Sequence, residues 1–169
     1  MRERNTPVVA VSGVKNSGKT TLIEGLLAHL TSRGLRVAVI KHDGHSFSPD
    51  IPGTDSYRHR AAGARGVAVF SDKCYMIIKN ENTEISRLIE SFSDMDLVLI
   101  EGMKSSRFPK IEVIRGDNSK SPVCDPETVI AIATDIPLHI PGKPSYGLDD
   151  YEGMAGFLQY YIMDGRIEL

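Results

Sequence analysis

Apolar positions fall along this chain in two rhythms. Val8-Val9-Ala10-Val11, Leu97-Val98-Leu99-Ile100 and Val129-Ile130-Ala131-Ile132-Ala133 are short unbroken runs, which mark strands buried on both faces. Residues 35–40 and 110–115 read as two more strands. After the first run, Leu22, Ile23, Leu26, Leu27 and Leu30 return at helical spacing, and the pattern stops at Gly34. Strand, helix, strand in that order requires a right-handed crossover and a parallel sheet. A second helix is expected over 56–64, closed by Ala61-Ala62-Gly63-Ala64, small residues that permit close packing. A third covers 83–92 with Thr83 and Ser86 as candidate caps, and a last one covers 151–163, packing Met154, Phe157, Leu158 and Tyr161.

Two further runs, Val67-Ala68-Val69-Phe70 and Cys74-Tyr75-Met76-Ile77-Ile78, flank Ser71-Asp72-Lys73 and read as a β-hairpin. Both faces of this hairpin are apolar, so either both are covered internally or one meets another subunit. Between the elements lie polar loops at 41–56, 103–109 and 116–126, and Pro137, Pro141 and Pro144 keep their segment extended. The polar opening residues 1–6 read as a frayed end.

Composition narrows the class only a little. At 169 residues the chain is read as a single domain over 1–169, with ordinary hydrophobic (41%) and charged (25%) fractions. A formal net charge of −2 gives no nucleic-acid footprint, and no apolar run has the length of a membrane span. The opening residues lack the apolar stretch of a signal peptide, so a cytoplasmic protein with reduced Cys74 and Cys124 is expected.

The chemistry concentrates between the first strand and the first helix. Gly13-Val14-Lys15-Asn16-Ser17-Gly18-Lys19-Thr20 matches G-x-x-x-x-G-K-[ST], a loop whose backbone N–H groups curl inward around a polyphosphate. Lys19 reaches the β- and γ-phosphates, Thr20 offers a hydroxyl to Mg²⁺, and the helix presents its positive end to the same phosphates. Asn16, Ser17 and Thr21 complete the phosphate contacts. The α/β pattern thus specifies a P-loop NTPase fold: a mostly parallel twisted sheet flanked by helices, with an added β-hairpin.

A second signal is the strand Asp96–Ile100 ending in Glu101. Such a strand delivers its terminal carboxylate to Mg²⁺ beside the phosphate loop, making Glu101 a metal and catalytic residue together with Lys19. Asp50 in the long loop is read toward the same ion, whereas Asp55 has two open readings, metal work or capping of the following helix by it or Thr54. His42 and His45 are too few for a convincing transition-metal site. Lys104 and Arg107 offer charge to phosphates or to an anionic second ligand, solvated surface being the plainer reading. Asp135, after the run 129–133, stands where a carboxylate accepts both N1–H and N2–H of guanine, although [NT]-K-x-D is absent.

Read together, the phosphate loop, Lys41-His42, Asp50-Ile51-Pro52-Gly53-Thr54-Asp55-Ser56, Ala62-Gly63-Ala64, Glu101-Gly102-Met103-Lys104 and Ala133-Thr134-Asp135-Ile136-Pro137 resemble the MobB family. These are P-loop GTP-binding adaptors of molybdopterin-guanine dinucleotide biosynthesis, and the resemblance runs from about Pro7 to the last helix. It implies GTP and Mg²⁺ as ligands, a homodimer and weak GTP hydrolysis. It further implies partnership with the MobA guanylyltransferase, with molybdopterin as a candidate ligand. By position, Gly13, Gly18, Lys19 and Thr20 bind phosphate and Mg²⁺, with Asp50 and Glu101 near the metal. The sequence departs from some P-loop relatives at Val14, where they carry a signature lysine, and Lys15 follows instead. Neither a catalytic glutamine nor an arginine finger is identifiable, which suits slow turnover.

Two other functions compete. An ATP-dependent small-molecule kinase or ligase resembling dethiobiotin synthetase would share the phosphate loop and the strand-end Glu-Gly. A nickel-insertion GTPase would need clustered His and Cys, for which His42, His45 and His59 are thin.

Overall fold

A computed structural model describes residues 6–44 and 47–164. In chain order the elements are β1 (Val8–Ser12), α1 (Lys19–Ser32), β2 (Val37–Lys41), α2 (Asp55–Ala61), β3 (Gly66–Phe70) and β4 (Tyr75–Lys79), then α3 (Ile85–Glu90), β5 (Leu97–Glu101), β6 (Lys110–Ile114), β7 (Val129–Thr134), β8 (Ser145–Tyr146) and α4 (Tyr151–Met163). They form two compact units, Met1–His42 with Ser86–Leu169, and Asp43–Ile85.

In the first unit every strand pairing is parallel, in the order β2-β5-β1-β6-β7-β8. The unbroken apolar runs are the reason: β1, β5 and β6 are buried along their whole length, as parallel strands covered on both faces must be. On one face Val9, Val11, Leu97, Leu99, Ile111 and Val113 meet Leu22, Ile23, Leu26 and Leu30 of α1 and Met154 and Leu158 of α4. The two helices approach closely at Gly25, where an added Cβ would stand 2.3 Å from the Tyr151 ring. A smaller cluster gathers Ile114, Cys124, Val129 and Ile132.

Strand order matters most for function. Because β5 is inserted between β1 and β2, Glu101 pairs with Val11 on one side and with Lys41 on the other. The loop leaving β1 and the acid ending β5 therefore share the carboxyl edge, where open α/β sheets bind ligands.

Several boundaries differ from the sequence expectation. The strand expected from residue 35 begins at Val37, because Leu35 N–H turns back to Leu30 O at the end of α1 (3.2 Å). Arg36 binds Asp96 through its backbone N–H (2.8 Å) and guanidinium (3.0 Å), and its side-chain hydrogen bond holds that carboxyl below its ordinary pKa. The helix expected over 83–92 is confined to Ile85–Glu90, with Ser91 Oγ bonding Arg87 O (2.8 Å) where the helix gives out. The proline-rich segment, expected only as extended, supplies β8 to the sheet edge. Of the opening residues read as frayed, 1–5 lie outside the described ones, whereas Thr6 is buried and donates to Phe92 O (3.4 Å).

The second unit holds α2 and the β3–β4 hairpin. Thr54 caps α2, its Oγ1 accepting from Tyr57 N–H (3.3 Å). The helix ends earlier than residue 64 because Gly63 turns left-handed (φ 108°), letting Ala64 N–H reach His59 O (3.1 Å). Nothing lies within 4 Å of a Cβ placed on Gly63, so this glycine serves the turn rather than the close packing expected of the small-residue run. In the hairpin, Val67, Val69, Met76 and Ile78 share one face, which is partly covered, with Ile78 buried. Ala68, Phe70, Tyr75 and Ile77 share the other, where Phe70 is 83% and Tyr75 76% exposed. One apolar face of the hairpin is thus open.

Candidate functional site

Glycine gives the phosphate loop its shape. Gly13 stands at φ 148° with a would-be Cβ 2.5 Å from Val113 O, a spot no side chain can occupy. Asn16 (φ 61°) and Gly18 (φ 97°) are both left-handed and bend the loop into the start of α1. Beneath it Ser17 is fully buried, and its Oγ has no hydrogen-bond partner. Gly18 is the N-cap of α1, without a side-chain cap, and the first turn carries no acid. The helix therefore opens with its N–H groups and positive end uncompensated, the condition that suits an anion.

Across the edge, Thr20 Oγ1 donates to Glu101 Oε1 (2.9 Å), and Lys41 Nζ pairs with the same oxygen (3.2 Å). Glu101 is nearly buried. Lys19 Nζ donates to Val14 O (2.6 Å), spanning the loop it follows. Burial, the strongest influence, pushes the Lys19 pKa down; Glu101 opposes that, and Lys41 and Lys104 add to it. Lys19 thus feels two further ammonium groups, Lys41 and Lys104, against the one carboxylate of Glu101, an electrostatic demand for anionic charge.

Neighbouring loops brace this arrangement. Asn118 Nδ2 donates to Lys15 O (2.6 Å), and Arg115 Nη2 would lie 3.6 Å from a Cβ on Gly18. Asp135 sits just past β7, where its Oδ1 accepts from Gly116 N–H (2.7 Å) and its Oδ2 stands 4.0 Å from Arg115 Nε. Its carboxylate holds the bracing loop in place. On the other flank, fully buried Lys110 ties down the loop 103–109, donating to Ser106 O (2.7 Å), Phe108 O (2.9 Å) and Thr128 Oγ1 (3.0 Å). Nearby, Glu112 Oε1 accepts from Cys124 N–H (3.1 Å), and burial, with Glu112 adding to it, pushes the Cys124 thiol up to about 12. Both cysteines are free, Cys124 buried and Cys74 exposed.

Two cavities flank the phosphate loop. Its entry limb, residues 13–15, joins His42 and the loop 102–106 around a cavity of about 550 Å³. Its exit limb, with Ser17, Gly18 and Thr21, faces a smaller one of about 120 Å³ bounded by Arg115, Asp149 and Tyr151.

Of the residues singled out in the sequence, Gly13, Asn16, Ser17, Gly18, Lys19, Thr20, Thr21 and Glu101 share one sheet edge in the first unit. Asp135 belongs to the same unit, anchored to Gly116. Asp50 lies in the second unit, where its Oδ1 accepts from Ile51 N–H (2.9 Å), Ser56 Oγ (3.1 Å) and Thr54 Oγ1 (3.2 Å) while Oδ2 is buried without a partner. Thr54 does the capping there, and Asp55 pairs with Arg58 (3.5 Å). His45 lies outside the described residues. The sequence reading assigned no role to Lys41, Arg115, Asn118 or Lys110. Lys41 ends β2 and Arg115 directly follows β6, both at the carboxyl edge, which was the signal available; Lys110 opens β6 at its other end and Asn118 lies in the loop beyond, with no such signal.

The donor set at the loop fits Mg²⁺ held with a triphosphate. A hydroxyl and a carboxylate, both hard oxygen donors, meet beside an uncapped helix start. Among the described residues no three His, Cys, Asp or Glu gather as a metal cage. Mg²⁺ bound by few protein oxygens plus phosphates and water has no need of one.

The chain is similar in sequence and in fold to known proteins. Residues 8–135 match the family model described as MobB, Molybdopterin guanine dinucleotide synthesis protein B. The chain is 39% identical over 139 residues to the molybdopterin-guanine dinucleotide biosynthesis adapter protein of Haemophilus influenzae, covering 79% of this chain and 78% of that one. It is 34% identical over 161 residues to the Escherichia coli protein of the same name, covering 90% and 91%. Among solved structures, Bacillus subtilis MobB superposes with a TM-score of 0.76 at 30% identity, covering 91% of this chain and 96% of that one.

Proposed function

The chain belongs to the MobB family, and from that premise we propose that it is an adapter of molybdopterin-guanine dinucleotide biosynthesis that binds GTP with Mg²⁺. The observation that carries the nucleotide reading is the contact of Thr20 with Glu101 (2.9 Å) beside a helix start that has no cap of its own. Thr20 and Glu101 would hold Mg²⁺, whose chemistry when bound is to neutralise charge on phosphate oxygens. Lys19 and the backbone of residues 13–20 bind the phosphates, and Lys41 keeps Glu101 oriented toward Thr20. Asp135 serves guanine through the oxygen that Gly116 does not use.

Turnover is slow on this reading. The chain's single glutamine, Gln159, lies on α4 and accepts from Arg33 (3.3 Å) at the far end of α1, so no glutamine orients an attacking water. The protein acts as a homodimer serving the MobA guanylyltransferase, in the cytoplasm. The open hairpin face of Ala68, Phe70, Tyr75 and Ile77 supports the dimer. In sedimentation velocity the wild type should run as a dimer and Phe70→Asp as a monomer; an unchanged mass would remove the hairpin from the interface.

Titration calorimetry tests the nucleotide assignment. With Mg²⁺, GTP should bind more tightly than ATP, and Asp135→Asn, which keeps an acceptor for Gly116, should reduce that preference roughly tenfold. Equal affinity for the two nucleotides would remove the guanine assignment. Rapid turnover of ATP with an added small acceptor would instead favour the kinase or ligase alternative.

A further inference from the structure

We propose that Glu112 is a positioning residue for the phosphate loop, fixing the backbone at Lys15 through the loop 116–124 and Asn118. The inference rests on the nucleotide reading only in that bound GTP is one of its readouts.

The strand pattern puts an acid where a hydrocarbon would pack. Along β6, Ile111 and Val113 face α1 and α4, so Lys110, Glu112 and Ile114 turn to the other face of the sheet. There Glu112 is fully buried, on the side of the cluster of Ile114, Cys124, Val129 and Ile132. Lys110, two residues back on the same face, spends its three ammonium donors on Ser106 O, Phe108 O and Thr128 Oγ1, leaving none for Glu112. A buried carboxylate without an ion partner costs stability against an apolar residue of like size. What Glu112 holds accounts for the acid.

Its Oε1 accepts from Val123 N–H (2.5 Å) and Cys124 N–H (3.1 Å). These amides end a loop whose start, Gly116 N–H, is held by Asp135 Oδ1 (2.7 Å). Between the two anchors Asn118 N–H and Ser119 N–H both turn back to Arg115 O (3.0 and 2.7 Å), and Ser119 Oγ donates to Ser121 O (3.0 Å). Asn118 is thereby aimed at the phosphate loop, where its Nδ2 donates to Lys15 O (2.6 Å). The carbonyl of Lys15 and the N–H of Asn16 belong to one planar trans peptide unit, so fixing the first fixes the second. Asn16 is itself left-handed at φ 61°, the bend that turns the loop's N–H groups toward an anion.

A double-mutant cycle on the full chain, read by calorimetry with GTP and Mg²⁺, tests this. Asn118→Ala and Glu112→Ala should each weaken binding roughly fivefold, the scale of one hydrogen bond, and the double variant should bind no more weakly than either alone. Glu112→Gln, which keeps an oxygen for the two amides, should bind within about twofold of wild type. A merely structural role would make the two losses multiply, to roughly 25-fold. Losses that multiply, a Glu112→Gln as weak as Glu112→Ala, or an Asn118→Ala isotherm like that of wild type would each overturn the proposal. If Glu112→Ala does not fold, Glu112→Asp, whose shorter side chain withdraws the carboxylate, takes its place in the cycle. If GTP failed to bind the wild type, the nucleotide reading would fall, and hydrogen exchange without ligand would decide this one. Amides of residues 14–17 should then exchange faster in both single variants, and unchanged exchange there would overturn it.

Discussion

The two long helices pack side by side, yet their first turns are finished in opposite ways. At α4, Asp150 caps the helix by accepting from Gly153 N–H (3.0 Å), and Glu152 places an acid in the first turn. At α1 the cap is a glycine without a side chain, the first turn has no acid, and Lys19 adds positive charge to an end that is already positive. One helix satisfies a first-turn N–H with its own side chain, whereas the other has no side-chain cap, the end to which the proposed function assigns phosphate. Local stability would favour a cap at both, and the missing cap at α1 is what supports the proposed phosphate site there.

Two variants sharpen the contrast. Lys19→Ala should have the largest effect, weakening GTP binding roughly 100-fold in calorimetry, the scale of a hydrogen bond to a charged group. Its far-UV circular dichroism should stay unchanged, since Lys19 bonds only within its own loop, to Val14 O. Asp150→Ala should do the reverse at α4, costing about 1 kcal/mol in urea unfolding while leaving GTP affinity alone. If both variants shifted stability and binding together, the division of labour between the two helix ends would be lost.

The sequence displayed whatever is encoded locally. The phosphate loop was readable because glycines, lysine and threonine sit at fixed offsets between an apolar run and a helical repeat, and Glu101 because it ends an apolar run. The contact of Lys41 with Glu101 was not readable, since it depends on β5 inserting between β1 and β2, a fact of sheet order. Asn118 reaching Lys15 and Lys110 anchoring residues 106 and 108 have the same origin, side chains brought together by register. Gly63 was read within the run that closes α2, and its left-handed turn does close it. The close packing also expected of that run is not found at Gly63, because small residues suit a helix stop as well as a packing surface. Asp50 shows a related difficulty. Three local donors occupy one of its oxygens, which the sequence did not show, while the other oxygen has no partner.

Hydrogen exchange with mass spectrometry, with and without Mg²⁺ and GTP at saturation, measures the difference between the two helix ends most directly. Amides of residues 13–21 should slow strongly when the nucleotide binds, while those of residues 150–154 stay as they were. Saturated binding with no slowing over 13–21 would contradict the claim that the uncapped end of α1 holds the phosphates.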